Sequence, residues 1–165
     1  LAQAGVRLPP GWRAEVNLRA IDWMGQAGRA LQHGFLVLID YGDEANVLYS
    51  ALHAQGTLAT FTGHVIETRD GGRVAPWLRD PGGSDMTVHV DFTSIRRAAE
   101  AEGLDTICIV DQMHFLMGLG IESRLRESGG SGREDVTRRL ALKTLLMPGG
   151  LGTSHHVLLF GSGLT

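Results

Sequence analysis

The sequence predicts a layered α/β domain, read as the carboxyl-terminal half of a doubly wound sheet. Two stretches, 14–42 and 93–111, repeat the order amphipathic helix, glycine, apolar strand. A third apolar run, His156–Phe160, lies close to the end of the chain. Three core strands are too few for a whole doubly wound sheet, so the chain reads as half of one. Its 165 residues support one domain, and a 43% hydrophobic content suffices for a buried core.

Residues 1–13, ending in Pro9-Pro10-Gly11, read as a loop. From Ala14 to Gln32, Val16, Ala20, Met24, Ala27 and Leu31 recur at helical spacing and mark one buried face. Gly34 supplies the stop, because glycine accepts the left-handed conformation cheaply. Phe35-Leu36-Val37-Leu38-Ile39 is apolar without alternation, the pattern of a strand buried on both faces, and it ends at Asp40-Tyr41-Gly42. Residues 43–92 carry few helical signals: Gly56–Phe61 predicts a short strand, Asp70-Gly71-Gly72 and Pro81-Gly82-Gly83 predict turns, and Met86–Phe92 looks extended. So long a stretch without helix points to a small β insertion that carries function. Thr93–Glu102 then predicts a helix with Ile95, Ala98 and Ala99 on one stripe, stopped at Gly103. Thr106–Val110 predicts a buried strand ending at Asp111-Gln112, and helices over 113–127 and 133–147 flank the break Ser128–Gly132. The strands 35–40, 106–110 and 156–160 are expected to be neighbours, the last antiparallel to the others.

Charge and composition exclude several classes of function. Fifteen lysines and arginines against 18 acidic residues give a net charge of −3, without the basic excess of a nucleic-acid binder. No apolar run approaches the roughly 20 residues that cross a bilayer, so membrane insertion is not expected. The single cysteine, Cys108, lies in mid-strand and reads as core. Gly129-Gly130-Ser131-Gly132 and Gly149-Gly150-Leu151-Gly152 do not sit between a strand and a following helix and read as turns rather than phosphate loops. The first residues hold neither an initiating methionine nor a signal-like core, so the chain is expected to be cut from something longer.

Two segments can carry chemistry. Asp40 and Tyr41 stand at the carboxyl end of a buried strand, where open α/β sheets bind ligands; the bland alternative is a turn or a helix cap. In Asp85-Met-Thr-Val-His-Val-Asp91, Asp85, Thr87, His89 and Asp91 alternate with apolar residues, which places four polar groups on one face of an extended strand. Such a face can grip a guanidinium, move a proton or bind a cation, and otherwise it is a solvated surface with Asp91 or Thr93 capping the next helix. His89 with Asp85 and Asp91 is the donor set a metal would use. No metal is assigned, because the chain lacks His-x-x-x-His, Cys-x-x-Cys and calcium-loop spacing.

The ordered series Glu15-Val-Asn17, Leu38-Ile-Asp-Tyr-Gly42, Gly56-Thr-Leu58, His64, Pro81-Gly82, Asp85-x-Thr-x-His-Val-Asp-Phe92, Gly103-Leu104, Gln112-x-x-Phe-Leu116, Leu119-Gly-Ile121 and Pro148 with Gly152 resembles a known family. It is similar to the MidA family of class I S-adenosylmethionine-dependent methyltransferases, whose mitochondrial members are complex I assembly factors that methylate arginine. The resemblance runs from about Gly11 to Phe160, with Ala59, Val88 and Leu151 departing from its usual arginine, alanine and methionine.

That resemblance implies the carboxyl-terminal half of a Rossmann-like methyltransferase sheet: 14–42 a helix and the fifth strand, 43–92 the insertion, 93–165 helices with the sixth and seventh strands. S-adenosyl-L-methionine is the implied cofactor. Its main binding loop would lie upstream, so this piece alone is expected to be inactive. Asp40 and Asp85 are the implied partners of a substrate guanidinium, with His89 as proton acceptor or orienting group. Tyr41, Thr87, Asp91 and Gln112 are the implied substrate contacts. A protein substrate, a homodimer and a bacterial cytoplasmic setting are expected, with the mitochondrial matrix as the other location. Two other functions stay open, a non-catalytic assembly module of the same fold and a metal-dependent hydrolase using the 85–91 face.

Overall fold

The computed structural model describes residues 5–63, 65–67, 74–127 and 132–164, apart from the side chains of Leu125 and Glu127. His64, Asp70-Gly71-Gly72 and most of the Ser128–Gly132 break lie outside the described residues. The chain forms two compact units, one of Leu1–Asn17 with Asp43–Thr93 and one of Leu18–Gly42 with Ser94–Thr165.

In the larger unit, helix α1 (Leu18–Ala30) leads into strand β1 (Gly34–Asp43). The helix starts four residues later than its periodicity suggests, and Val16 is exposed. Residues 13–15 are held otherwise: Arg13 bridges Gln55 in parallel, and Glu15 Oε2 accepts from Thr57 N and Oγ1. Chain tied down in extended form cannot also wind into the first helical turn. At the other end α1 lies close to helix α3 (Phe92–Ala101) and the turn after it: a Cβ on Gly28 would come 2.9 Å from Glu102 Cβ. Arg29 pairs with Glu102 across this contact.

Strands β6 (Asp105–Asp111) and β7 (His155–Ser162) complete the unit's sheet, ordered β1-β7-β6 with β7 antiparallel to both neighbours. The neighbours and directions are those expected. The burial of β1 is not. Phe35, Val37 and Ile39 are 60, 45 and 53% exposed, whereas Leu36 and Leu38 are half-buried. An apolar run does not report how many faces are covered, and among the described residues only one face of β1 is. The core consists of Met24, Ile95, Ala99, Leu104, Val157, Leu158 and Phe160.

The helix expected over 113–127 is two, α4 (Gln112–Gly118) and α5 (Ile121–Glu127), because Gly120 adopts a φ of 76°. Helix α6 (Arg133–Leu146) buries none of its described residues and leads through Gly149 to the single turn α7 (Leu151–Ser154). Gly152 is required there, since a Cβ would stand 2.4 Å from the Leu146 carbonyl oxygen.

The smaller unit holds helix α2 (Ala45–Leu48), a 3-10 turn at Ala51–His53 and a sheet ordered β3-β2-β4, of Val65–Ile66, Ala59–Thr62 and Asp85–Thr87. The stretch 86–92 is not one strand: β4 ends at Thr87, residues 88 and 89 are irregular, and β5 covers only Val90–Asp91 before α3 begins. Ala45, Leu48, Pro76 and Phe92 are among its buried residues, and Thr93 Oγ1 accepts from Ala45 N at 3.0 Å.

Candidate functional site

At one edge of the larger unit's sheet, register places Asp40 opposite His156 and His156 opposite Asp111. Directly opposed residues of antiparallel strands share a face, so a carboxylate, an imidazole and a second carboxylate form a row. Asp111 ends its strand, and Asp40 stands three residues before the end of β1. The expected end of β1 is thereby corrected: Asp40-Tyr41-Gly42 is neither turn nor cap but paired strand. Asp40 is exposed, with Oδ1 accepting from Tyr41 N at 2.8 Å. Tyr41 is opposite His155, and their rings meet edge to face at 5.7 Å.

Asp111 closes the row and caps α4. Its Oδ1 accepts from His114 N at 2.8 Å, and His114 Nδ1 lies 2.7 and 2.8 Å from the two carboxylate oxygens. The His114 backbone N–H, followed by the His114 side chain and the charge of His156, holds the Asp111 carboxyl below the ordinary aspartate range. Gln112, 7% exposed, donates from Nε2 to the Leu145 carbonyl and so ties α4 to the end of α6.

In the smaller unit a polar network carries the other candidates. Gly56 adopts a φ of 78°, and a Cβ there would stand 2.3 Å from Glu15 Oε1. Thr57 Oγ1 donates to Glu15 and accepts from His89 N at 3.1 Å. Glu15 and the Gly56-Thr57 step, separate in the sequence series, are thus one device that fixes the backbone at His89. Asp91 Oδ2 accepts from Tyr49 OH at 3.2 Å, and burial, then Asp91, pushes the Tyr49 phenol well above its ordinary range. His89 Nδ1 lies 3.5 Å from Asp43 Oδ2, and its ring meets His53 edge to face at 5.6 Å.

The predicted residues are therefore divided. Asp40, Tyr41 and Gln112 belong to the larger unit; Asp85, Thr87, His89 and Asp91 belong to the smaller. Asp85 and Thr87 share one face of β4, Asp85 exposed and Thr87 half-buried. The break at residues 88 and 89 means that alternation does not carry this face on to His89 and Asp91. The donor set Asp85, His89 and Asp91 does not assemble either. Among the described residues, the group within metal-holding reach is Asp43, His53 and His89. The sequence reading missed Asp43, His53, Asp111, His114 and His156. Asp111 and His114 had a signal, a strand-ending Asp with a residue three positions on to cap, while the others become neighbours only through folding.

The larger unit is thus of the class that presents polar side chains at the strand ends of an open α/β sheet, where such folds bind small ligands. The sequence pattern of the family described as "Putative S-adenosyl-L-methionine-dependent methyltransferase" matches residues 1–110, and the chain belongs to that family. Two crystal structures from Burkholderia thailandensis are similar to it. One is of an uncharacterized protein, 27% identical with a TM-score of 0.83, covering 99% of this chain and 42% of that one. The other, 27% identical with a TM-score of 0.82 and covering 99% and 41%, is of a "likely methyl transferase" bound to S-adenosyl-homocysteine. The chain therefore spans about two fifths of the length of these structures. No curated protein matches it.

Proposed function

We propose that the protein containing this chain is an S-adenosylmethionine-dependent methyltransferase of the MidA type, whose acceptor is an arginine on a protein such as a respiratory complex I subunit. The observation that carries the reading is the match, over 99% of the chain, to a structure holding S-adenosyl-homocysteine, the product left when the donor has lost its methyl. The row Asp40, His156 and Asp111 at the strand ends supports it.

In this reading each unit offers a candidate carboxylate for the acceptor guanidinium, Asp40 in the larger and Asp85 in the smaller, and such a pairing localises a lone pair on the attacking nitrogen. That nitrogen attacks the methyl carbon, the carbon–sulfur bond breaks, and its electron pair stays on sulfur. The proton lost from nitrogen passes to water, with His89 as the smaller unit's candidate for taking that proton or orienting the acceptor. Tyr41 in the larger unit and Thr87 and Asp91 in the smaller are the candidate contacts to the acceptor, and Gln112 acts by holding α4. The donor is already activated as a sulfonium, so positioning rather than activation is the protein's main contribution. This reading puts the donor's main loop outside these 165 residues.

Donor binding and methyl transfer test this directly. A protein extended to the length of the matching structures binds S-adenosylmethionine and labels an arginine-bearing protein, and the 165-residue chain alone does neither at micromolar donor. Asp40→Asn in the extended protein leaves donor binding intact and lowers turnover at least about 100-fold. Undiminished turnover in that variant removes the carboxylate role, and tight donor binding by the chain alone misplaces the donor loop.

A further inference from the structure

We infer that Asp43, His53 and His89 form a binding site for one first-row divalent cation of the zinc type, with an open coordination position. Each of the three residues offers one donor atom, and these atoms lie within 4.8 Å of one another. Ligands at the roughly 2.1 Å that zinc requires, arranged tetrahedrally, stand about 3.4 Å apart. His89 Nδ1 and Asp43 Oδ2, at 3.5 Å, already have that spacing.

The chemistry of the set agrees with its spacing. Two imidazoles and one carboxylate are nitrogen and oxygen donors of the borderline kind that zinc, cobalt and iron(II) accept, and too few oxygens for calcium. His53 Nδ1 lies 3.2 Å from the Leu48 carbonyl oxygen, which can only accept, so the ring proton sits on Nδ1 and the lone pair on Nε2. A second hydrogen bond of this kind, fixing tautomer and ring, is the usual support of a metal-bound histidine. Backbone positions are held as well. Ser50 caps the 3-10 turn that carries His53, Asp43 is the last residue of β1, and the Glu15–Thr57 pair anchors the His89 N–H. The three side chains are half-buried, so water is partly excluded while one side stays open to a fourth ligand.

One Asp and two neutral His leave a bound dication with net charge of about +1, which suits water, hydroxide or an anionic oxygen of a ligand at the open position. Transfer of a methyl from a sulfonium needs no metal, but the site shares His89 with the function proposed above, and a bound cation leaves that ring an orienting role rather than the proton. It differs also from the donor set that the 85–91 alternation suggested, since it draws on His53 and Asp43, 36 and 46 residues before His89.

Titration of the metal-stripped chain with Zn²⁺ and, separately, with Co²⁺ is the test. One equivalent binds with a Kd of about 1 μM or tighter, and Co²⁺ develops the visible bands of a four- or five-coordinate site. His53→Gln, on a surface turn where it leaves the core untouched, and His89→Gln each weaken binding about 100-fold or more, and Asp43→Asn shifts the Co²⁺ spectrum. Thr57→Ala, which only loosens the backbone at His89, weakens binding about 10-fold. His33→Ala and His155→Ala leave affinity and stoichiometry unchanged. No saturation below about 1 mM overturns the inference and leaves Asp43 and His89 an ion pair only. Saturable binding that survives His53→Gln but is lost with His155→Ala overturns it too. Should His89→Gln fail to fold, the His53→Gln titration and the Co²⁺ spectrum of the unaltered chain still decide.

Discussion

The two units are held together by different physics. The larger buries Met24, Ile95, Leu104, Val157, Leu158 and Phe160, aliphatic and aromatic side chains from α1, α3, the turn before β6, and β7. The smaller buries fewer apolar residues, chiefly Leu48 and Phe92, and relies on Glu15, Tyr49, Thr57, His89 and Asp91 bonding to one another and to backbone. Area-driven cores are non-directional and tolerate shape-conserving changes; polar networks depend on each partner and on the angle at which it arrives. The same substitution therefore means different things in the two regions. Candidate ligand-handling groups occur in both, held by hydrogen bonds to Asp40 and Asp111 in the larger unit and by the Glu15–Thr57–His89 chain in the smaller.

The largest effect belongs to the packed region. Phe160→Ala leaves a cavity in a fully buried position and lowers unfolding free energy by about 3–5 kcal/mol, read as a lower urea midpoint. A loss under about 1 kcal/mol would mean that the larger unit is not built on this core. Next comes Gly56→Ala in the smaller unit. It meets both a left-handed backbone and the Glu15 carboxylate, and costs about 1–3 kcal/mol. In a Glu15→Ala background the steric part disappears and about 1 kcal/mol remains for the backbone alone. Equal costs in both backgrounds would show that Glu15 does not sit against Gly56.

Tyr49→Phe removes the hydrogen bonds to Asp91 and the Glu15 carbonyl for about 1 kcal/mol. It also changes the alkaline limb. The folded phenol binds its proton more tightly than the unfolded one, so its contribution is complete below the ordinary value of 10 and is lost as pH rises beyond it. Stability monitored upward from pH 10 falls more steeply in the unaltered protein than in the Phe variant.

Asp111→Ala costs about 1 kcal/mol through the lost cap of α4. Here the folded pKa is depressed, so the stabilisation is present above the ordinary aspartate range and vanishes as pH falls through the lower folded value. The gap between the Ala variant and the unaltered protein closes in strong acid; a gap that persists there assigns the loss to something other than the carboxylate's charge. Smallest is Thr60→Val. Thr60 is 1% exposed, and its hydroxyl has no hydrogen-bond partner among the described residues, so the isosteric change is neutral to stabilising, by up to about 1 kcal/mol. A clear loss in a denaturant melt would show that the hydroxyl is bonded.

The sequence by itself determined the elements whose signal is local. Met24, Ile95 and Ala99 lie where helical periodicity puts them, and Phe35–Ile39, Thr106–Val110 and His156–Phe160 are strands because apolar runs of that length have no better way to bury themselves. Asp40 and Tyr41 were legible as strand-end residues because strand and polar end are contiguous. Tertiary structure decided the rest. Whether β1 is covered on one face or two depends on what packs there, which an unbroken apolar run cannot state. Alternation over 85–91 promised one polar face, but the chain breaks at 88 and 89 and His89 turns toward Asp43 and His53 instead. The row Asp40, His156, Asp111 exists only through register. Period and propensity act over a few residues, whereas a site is made of distances between residues far apart in the chain, and those are set only when backbone hydrogen bonds and packing close the loops between them.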